Sequence, residues 1–206
     1  MFARSTTIQA QPSAIDAGIA HMRDEVMPAL EGIPGCTGLS MLVDRTFGRC
    51  ILTTGWATEF AMIDSAEEAR PMRDRAATIL GGAAQVAEWE IAVLHREHRS
   101  LPGACASVTW VKTDPSRLDM STEVYRNYIL PGLEQLDGFC SASLLINRAS
   151  GRAVSCGTFD SALMVQSNRE QVAALRVDAA RQAGVEAIDV REFQLALAHL
   201  RVPELV

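Results

Sequence analysis

The chain has 206 residues, of which 48% are hydrophobic and 21% charged, and a formal net charge of −6. That is ordinary globular composition with enough residues for a real core. An acidic balance without concentrated Lys and Arg excludes nucleic acid and anionic membrane surfaces as expected partners. No apolar run approaches bilayer length, and the opening Met1-Phe2-Ala3-Arg4-Ser5 lacks the long apolar stretch of a secretory signal, so a cytoplasmic protein is expected.

The five cysteines, Cys36, Cys50, Cys105, Cys140 and Cys156, are odd in number and none are spaced C-x-x-C. This spacing matches neither the common zinc nor the common redox signatures. Reduced, half-buried thiols are expected, with no metal and no cofactor.

Shifting the chain against itself by 103 residues reveals its plan. Ala3–Gly81 pairs with Ala106–Gly184 without a gap, and 20 of the 79 pairs are identical, where average composition predicts about 5. The matches include Pro12/Pro115, Arg23/Arg126, Pro28/Pro131, Gly35/Gly138, Gly48/Gly151 and Arg73/Arg176. A repeat of this length means two copies of one supersecondary unit.

In chain order, Arg4–Ala10 reads as a first strand. A helix follows, its start marked by Ser13 and Asp16 and its apolar stripe by Ile15, Ile19, Met22, Val26 and Leu30. Pro28 should kink or end it. Leu39–Val43 and Cys50–Trp56 form a hairpin whose turn closes at Gly48. Ser65-x-x-Glu68 is a capping box for a second helix that should bury Ala69, Met72 and Ala76, with a kink or late start at Pro71. Val86–Leu94 closes the unit. Residues 97–104, with Leu101-Pro102-Gly103, read as a linker between a first unit at 1–96 and a second at 105–206. The second copy repeats the order: strand Ser107–Lys112, a helix striped by Leu118, Thr122, Tyr125, Ile129 and Leu133, hairpin strands Ala142–Ile146 and Ala153–Phe159, a helix capped at Asn168, and strand Ala187–Ala198. Each unit is βαββαβ, the ferredoxin-like order. Strands apolar on both faces, such as Met41-Leu42-Val43, suit a sheet covered on both sides. The expected class is α+β, two tandem units forming an intramolecular α+β barrel.

The segment Pro34-Gly35-Cys36-Thr37-Gly38, followed by Gly48-Arg49 and then Thr54-Gly55-Trp56, resembles the antibiotic biosynthesis monooxygenase family. The second copy carries Gly138-Phe139, Gly151-Arg152 and Phe159, without the Trp. The resemblance implies a dimeric α+β barrel made here within one chain. It also implies a pocket in each unit between sheet and helices, where oxygen attacks an electron-rich aromatic or quinol substrate without metal or flavin. The chain departs from haem-degrading relatives, since its first strand has no Asn and the helix after Trp56 has neither Trp nor His. His199, near the chain's end, is a poor match to the haem-binding His of chlorite-dismutase-like proteins.

Trp56 and His21 are the candidate catalytic residues: an indole able to stack on a flat substrate, and the one His in a pocket-forming helix. A core anchor and a solvent-facing His are the plainer readings. Thr54, Met22, Arg73, Trp89, Trp110, Tyr125, Phe159, Arg176 and Phe193 are candidate substrate contacts. Trp89, Phe193, Met22 and Tyr125 should face the layer between helix and sheet, and the two arginines would hold an anion or lie along the surface. His95, Glu97 and His98 read as solvated linker residues. Two functions follow: a cofactor-independent monooxygenase acting on a small aromatic, quinol or polyketide-like compound, or a binding or assembly protein that kept the fold without the chemistry. A small-molecule ligand is the expected partner, and the fused units could pair again as a homodimer.

Overall fold

A computed structural model describes residues 1–200 and 203–205. Strand β1 (Phe2–Gln9) leads through a 3-10 turn at Pro12–Ala14 into helix α1. This helix runs Ile15–His21, widens into a π-helical turn at Met22–Val26 and finishes as Met27–Glu31. The hairpin β2 (Cys36–Val43) and β3 (Arg49–Trp56) is followed by α2 (Glu59–Asp64), α3 (Ala66–Leu80) and β4 (Ala84–Arg96). The second copy begins with β5 (Cys105–Lys112) and a 3-10 turn at Pro115–Arg117. Helix α4 then runs Leu118–Val124, with a π-helical turn at Tyr125–Ile129 and a final segment Leu130–Glu134. The remaining elements are β6 (Phe139–Asn147), β7 (Arg152–Phe159), α5 (Ala162–Ser167), α6 (Arg169–Ala183) and β8 (Glu186–Leu200). The class is α+β, and the strand order β1-β3-β2-β8-β5-β7-β6-β4 is that of an eight-stranded barrel.

The chain packs as two bodies. One holds residues 1–89 and β8 from Leu195; the other holds residues 90–194 and the tail residues 203–205. In the first, β3 lies antiparallel between β1 and β2, with Leu52 opposite both Thr6 and Met41. Its core joins Ile15, Met22, Val26 and Leu30 of α1 to Ile8, Leu39, Met41 and Trp56 of the sheet and Leu80 of α3. In the second, β7 lies between β5 and β6, with Cys156 opposite both Val108 and Ser143. Leu118, Tyr125, Leu130 and Leu133 of α4 pack there on Ala142, Leu144, Ile146 and Phe159.

Several local expectations need correcting. Pro28 and Pro131 neither end nor break their helices. Each sits in the first turn of a final segment that follows a π-helical turn, where Met27 N donates to Met22 O and Leu130 N donates to Tyr125 O. Widening the turn by one residue makes room for a ring that would otherwise clash with the carbonyl four residues back. Ser13 and Ser116 are not caps, because 3-10 turns precede both first helices. Ser65 and Asn168 do hold the N-cap positions of α3 and α6, but neither side chain bonds a free N–H of its helix. A short helix precedes each, and the side-chain caps are those of the short helices, on Thr58 and Ser161, whose hydroxyls accept from Ala61 N (3.1 Å) and Met164 N (3.3 Å). Ser65 instead donates to Met62 O at 2.8 Å, and the Asn168 amide donates to Asp137 O at 2.8 Å. Helix α3 starts at Ala66, so Pro71 does not delay it. On α3 and α6 only Ala76 and Ala179 of the expected apolar sets are fully buried.

Candidate functional site

Each body has a pocket between its helices and one face of its sheet. Residues two apart on a strand share a face, so Ser107, Thr109 and Val111 of β5 join Ser155, Gly157 and Phe159 of β7 on the floor of the second body's pocket. Helix α4 supplies Tyr125, the first residue of its π-helical turn, and α6 supplies Leu175 and Arg176. The pocket encloses about 890 Å³ of atom-free space, its open mouth included. The matching pocket of the first body, lined by Arg4, Thr6, Met22, Leu52, Thr54, Met72 and Arg73, encloses about 480 Å³.

The repeat register explains the difference. Ser107 stands where the first body has Arg4, Ser155 where it has Leu52, and Gly157 where it has Thr54. Arg4 is almost wholly buried and its guanidinium is fully engaged. It donates to Glu88 at 3.0 and 2.9 Å, to Ser65 Oγ at 3.2 Å and to the carbonyl of Met62, and it lies 6.0 Å over the Trp56 ring. One long, ion-paired side chain therefore narrows the first pocket. Removing its counterpart opens the second and leaves hydroxyl groups in it. Arg4, Ser107 and Ser155 escape sequence reasoning, because alone each looks like a plain strand residue. Only the aligned copies show an exchange of one large group for small ones.

The polar groups of the second pocket are few. Tyr125 Oη donates to the carbonyl of Ser143 (3.3 Å) and accepts from Ser155 Oγ at 3.5 Å. Burial pushes the Tyr125 phenol well above its ordinary range, so it stays protonated. Arg176 donates to Thr109 Oγ1 at 3.3 Å, and burial lowers its pKa. No carboxylate pairs with it among the described residues. Its counterpart Arg73 lines the first pocket from the matched helix position.

The other candidates are distributed as follows. Met22 and Thr54 line the first pocket, and Phe159 lines the second. Trp56 is fully buried and does not line the first pocket, and its indole donates to Thr54 Oγ1 at 3.0 Å. His21 is buried, not solvent-facing, lines neither pocket and lies 3.2 Å from the Glu25 carboxylate. Trp89, Trp110 and Phe193 do not face the layer between helix and sheet. Trp89 donates to Ser5 Oγ at 2.8 Å, and Ser5 sits between the pocket-facing Arg4 and Thr6. Trp110 packs edge-on against Phe193 with centroids 6.2 Å apart, and it sits between the pocket-facing Thr109 and Val111. Strand alternation puts all three on the opposite sheet face. No imidazole lines either of these pockets, so their residues do not fit a haem held by an axial His.

No helix of the described residues is long and apolar enough to cross a membrane. No protein-family model matches the chain. It is 57% identical over 206 residues to the uncharacterized protein Rv2557 of Mycobacterium tuberculosis, covering all of this chain and 92% of that one. It is 56% identical over 207 residues to Rv2558 of the same organism, covering all of this chain and 88% of that one. Among solved structures, it superposes on a monooxygenase candidate from Lactobacillus acidophilus NCFM with a TM-score of 0.71 at 6% identity, covering 97% and 96% of the two chains. An anthrone oxidase-like protein gives 0.64 at 13% identity, covering 94% and 90%. A ferredoxin-fold protein related to antibiotic biosynthesis monooxygenases, from Listeria monocytogenes, gives 0.51 at 10% identity, covering 95% of each. The chain belongs to the family of Rv2557 and Rv2558, and it has the ferredoxin-like α+β barrel fold of the antibiotic biosynthesis monooxygenase type.

Proposed function

We propose that the second body binds a flat, largely apolar compound bearing one acidic hydroxyl or enol, and that the protein oxygenates it without a cofactor. The observation that carries this reading is Arg176: a half-buried guanidinium at the wall of an apolar pocket, bonded to a neutral hydroxyl and, among the described residues, to no carboxylate. A cation so placed favours an anionic oxygen on the ligand, and the low dielectric of the pocket strengthens that preference.

The chemistry follows from what the pocket holds. Tyr125 stays protonated and no imidazole is present, so no pocket side chain is a ready base near neutral pH. The substrate's own acidity must supply the anion, stabilised on Arg176, Thr109 and Ser155. An electron-rich enolate or phenolate can then give an electron to oxygen. For a methylene substrate, recombination forms a C–O bond and a hydroperoxide, which loses water to leave a ketone: one CH2 and one O2 become one C=O and one H2O. The likeness in fold to the anthrone oxidase-like protein supports this substrate class.

The test is oxygen uptake by purified protein with a panel of anthrones and quinols, with the product followed by mass. Uptake that falls at least tenfold in Arg176→Met supports the proposal. Saturable binding without uptake selects the second reading, a binding protein, which the missing base favours. Neither binding nor uptake rejects both.

A further inference from the structure

Away from both pockets, three side chains that the sequence separates meet at one place in the second body. His98 comes from the linker, Cys140 from the start of β6, and Asp160 from just past the end of β7. His98 Nε2 lies 3.0 Å from Asp160 Oδ1, and Cys140 Sγ lies 3.3 Å from the same oxygen. All three donor atoms fall within 4.8 Å of one another. Around a tetrahedral zinc ion, with Zn–S near 2.3 Å and Zn–N and Zn–O near 2.0–2.2 Å, neighbouring ligand atoms stand about 3.3–3.6 Å apart. The two edges to Asp160, 3.0 and 3.3 Å, lie within a few tenths of an ångström of those values, and the His98–Cys140 edge is no more than 4.8 Å.

The backbone holds the three residues in place. Glu97 N and His98 N both donate to Cys140 O, at 2.8 and 3.3 Å, and Asp160 N donates to Gly138 O at 2.8 Å. The ligand positions are therefore set by hydrogen bonds that do not depend on an ion. The His98 and Asp160 side chains are 43% and 44% exposed, while Cys140 is buried beneath them. An ion can arrive from solvent and seat on the sulfur. The first copy has no equivalent: its residues in register with Cys140 and Asp160 are Thr37 and Ala57.

We propose that His98, Cys140 and Asp160 bind one zinc-type divalent cation, with a water as the fourth ligand. One sulfur, one nitrogen and one oxygen donor suit a borderline ion and disfavour magnesium or calcium. As the Sγ–metal bond forms, the thiol proton now directed at Asp160 leaves to solvent. The ion would clamp the linker to β6 and β7 and leave one exchangeable coordination position.

The test is titration of the full chain with Co2+, read by absorption. One equivalent should produce a thiolate-to-cobalt charge-transfer band and the intense visible bands of tetrahedral cobalt, both bleached by Zn2+. Cys140→Ser should abolish the charge-transfer band. His98→Gln and Asp160→Asn, at exposed positions that leave the fold intact, should weaken Co2+ binding at least about tenfold. Zn2+ should raise the unfolding midpoint of the parent and not of His98→Gln. Absence of a thiolate band at saturating Co2+, or a band that persists undiminished in both Cys140→Ser and His98→Gln, overturns the proposal.

Discussion

The indole of Trp56 donates to the hydroxyl of Thr54 at 3.0 Å, and that hydroxyl donates in turn to the carbonyl of Arg4 at 3.3 Å. Both partners of the indole contact lie on β3, two residues apart and so on one face. Trp56 is thus a satisfied anchor whose polar atom is already used. Trp56→Phe should cost about 1–2 kcal/mol, from a lost hydrogen bond and a small void, and Trp56→Ala about 3–5 kcal/mol. Denaturant unfolding measures both. Oxygen uptake per folded molecule should be unchanged in Trp56→Phe; a large fall would return Trp56 to the reacting site.

Arg176 should behave in the opposite way. Its half-buried charge has no carboxylate partner among the described residues, so removing it exposes no orphaned anion. Arg176→Met should leave the unfolding midpoint unchanged or raise it. It should also weaken binding of 2-naphthoate at least about tenfold, roughly 1.4 kcal/mol, while leaving naphthalene nearly unaffected. Calorimetric titration of both probes separates the charge contribution from the apolar one. Equal losses for the two would show that Arg176 merely packs.

The architecture was legible because the repeat put residues with a fixed physical job in register: turn glycines at 35/138 and 48/151, prolines at 28/131, and apolar stripes on α1 and α4. The pocket arginines Arg73 and Arg176 also stood out as a matched pair on matched helices. Facing was harder to read. Trp89 and Phe193 read as helix-layer residues on their chemistry, yet a one-residue shift along a strand sends a side chain to the other face. The short helices α2 and α5 are not legible because six residues carry little periodic signal, so their side-chain caps on Thr58 and Ser161 are not legible either. The π-helical turns had no sequence cue beyond Pro28 and Pro131. The meeting of His98 with Cys140 and Asp160 depends on where a linker folds back, which spacing alone does not encode.

Gly48 and Gly151 test the hairpin chemistry. Both have positive φ, 75° and 68°, and a Cβ at either would run into a backbone carbonyl, of Ala10 or Thr113. Their own carbonyls accept from Ala10 N at 2.7 Å and Thr113 N at 2.9 Å, tying each turn to the strand before it. Gly48→Ala and Gly151→Ala should each cost about 2–4 kcal/mol, combining left-handed strain with displacement of backbone that cannot yield cheaply. A loss under about 1 kcal/mol in urea melts would mean the turn re-forms without its strand contact.

Alkaline pH should destabilise the protein through its buried thiols. Burial pushes Cys50 up to about 11, with Asp44 adding a smaller upward push against the pull of Arg45, and burial likewise pushes Cys156 up to about 11. In the unfolded chain both ionise near the ordinary thiol value, about 8.5. Between those values the unfolded state has released protons that the folded state keeps. Stability contributed by the neutral thiols is therefore complete below about pH 8.5 and is lost as pH rises through about 11. Urea melts at pH 8, 9, 10 and 11 should show a falling unfolding free energy, and the Cys50→Ala, Cys156→Ala double variant should show a shallower decline over the same range. The comparison uses the slope with pH rather than the starting value, because Ala at position 50 also leaves a void that lowers stability at every pH. Identical slopes in parent and variant would mean that other groups carry the alkaline transition.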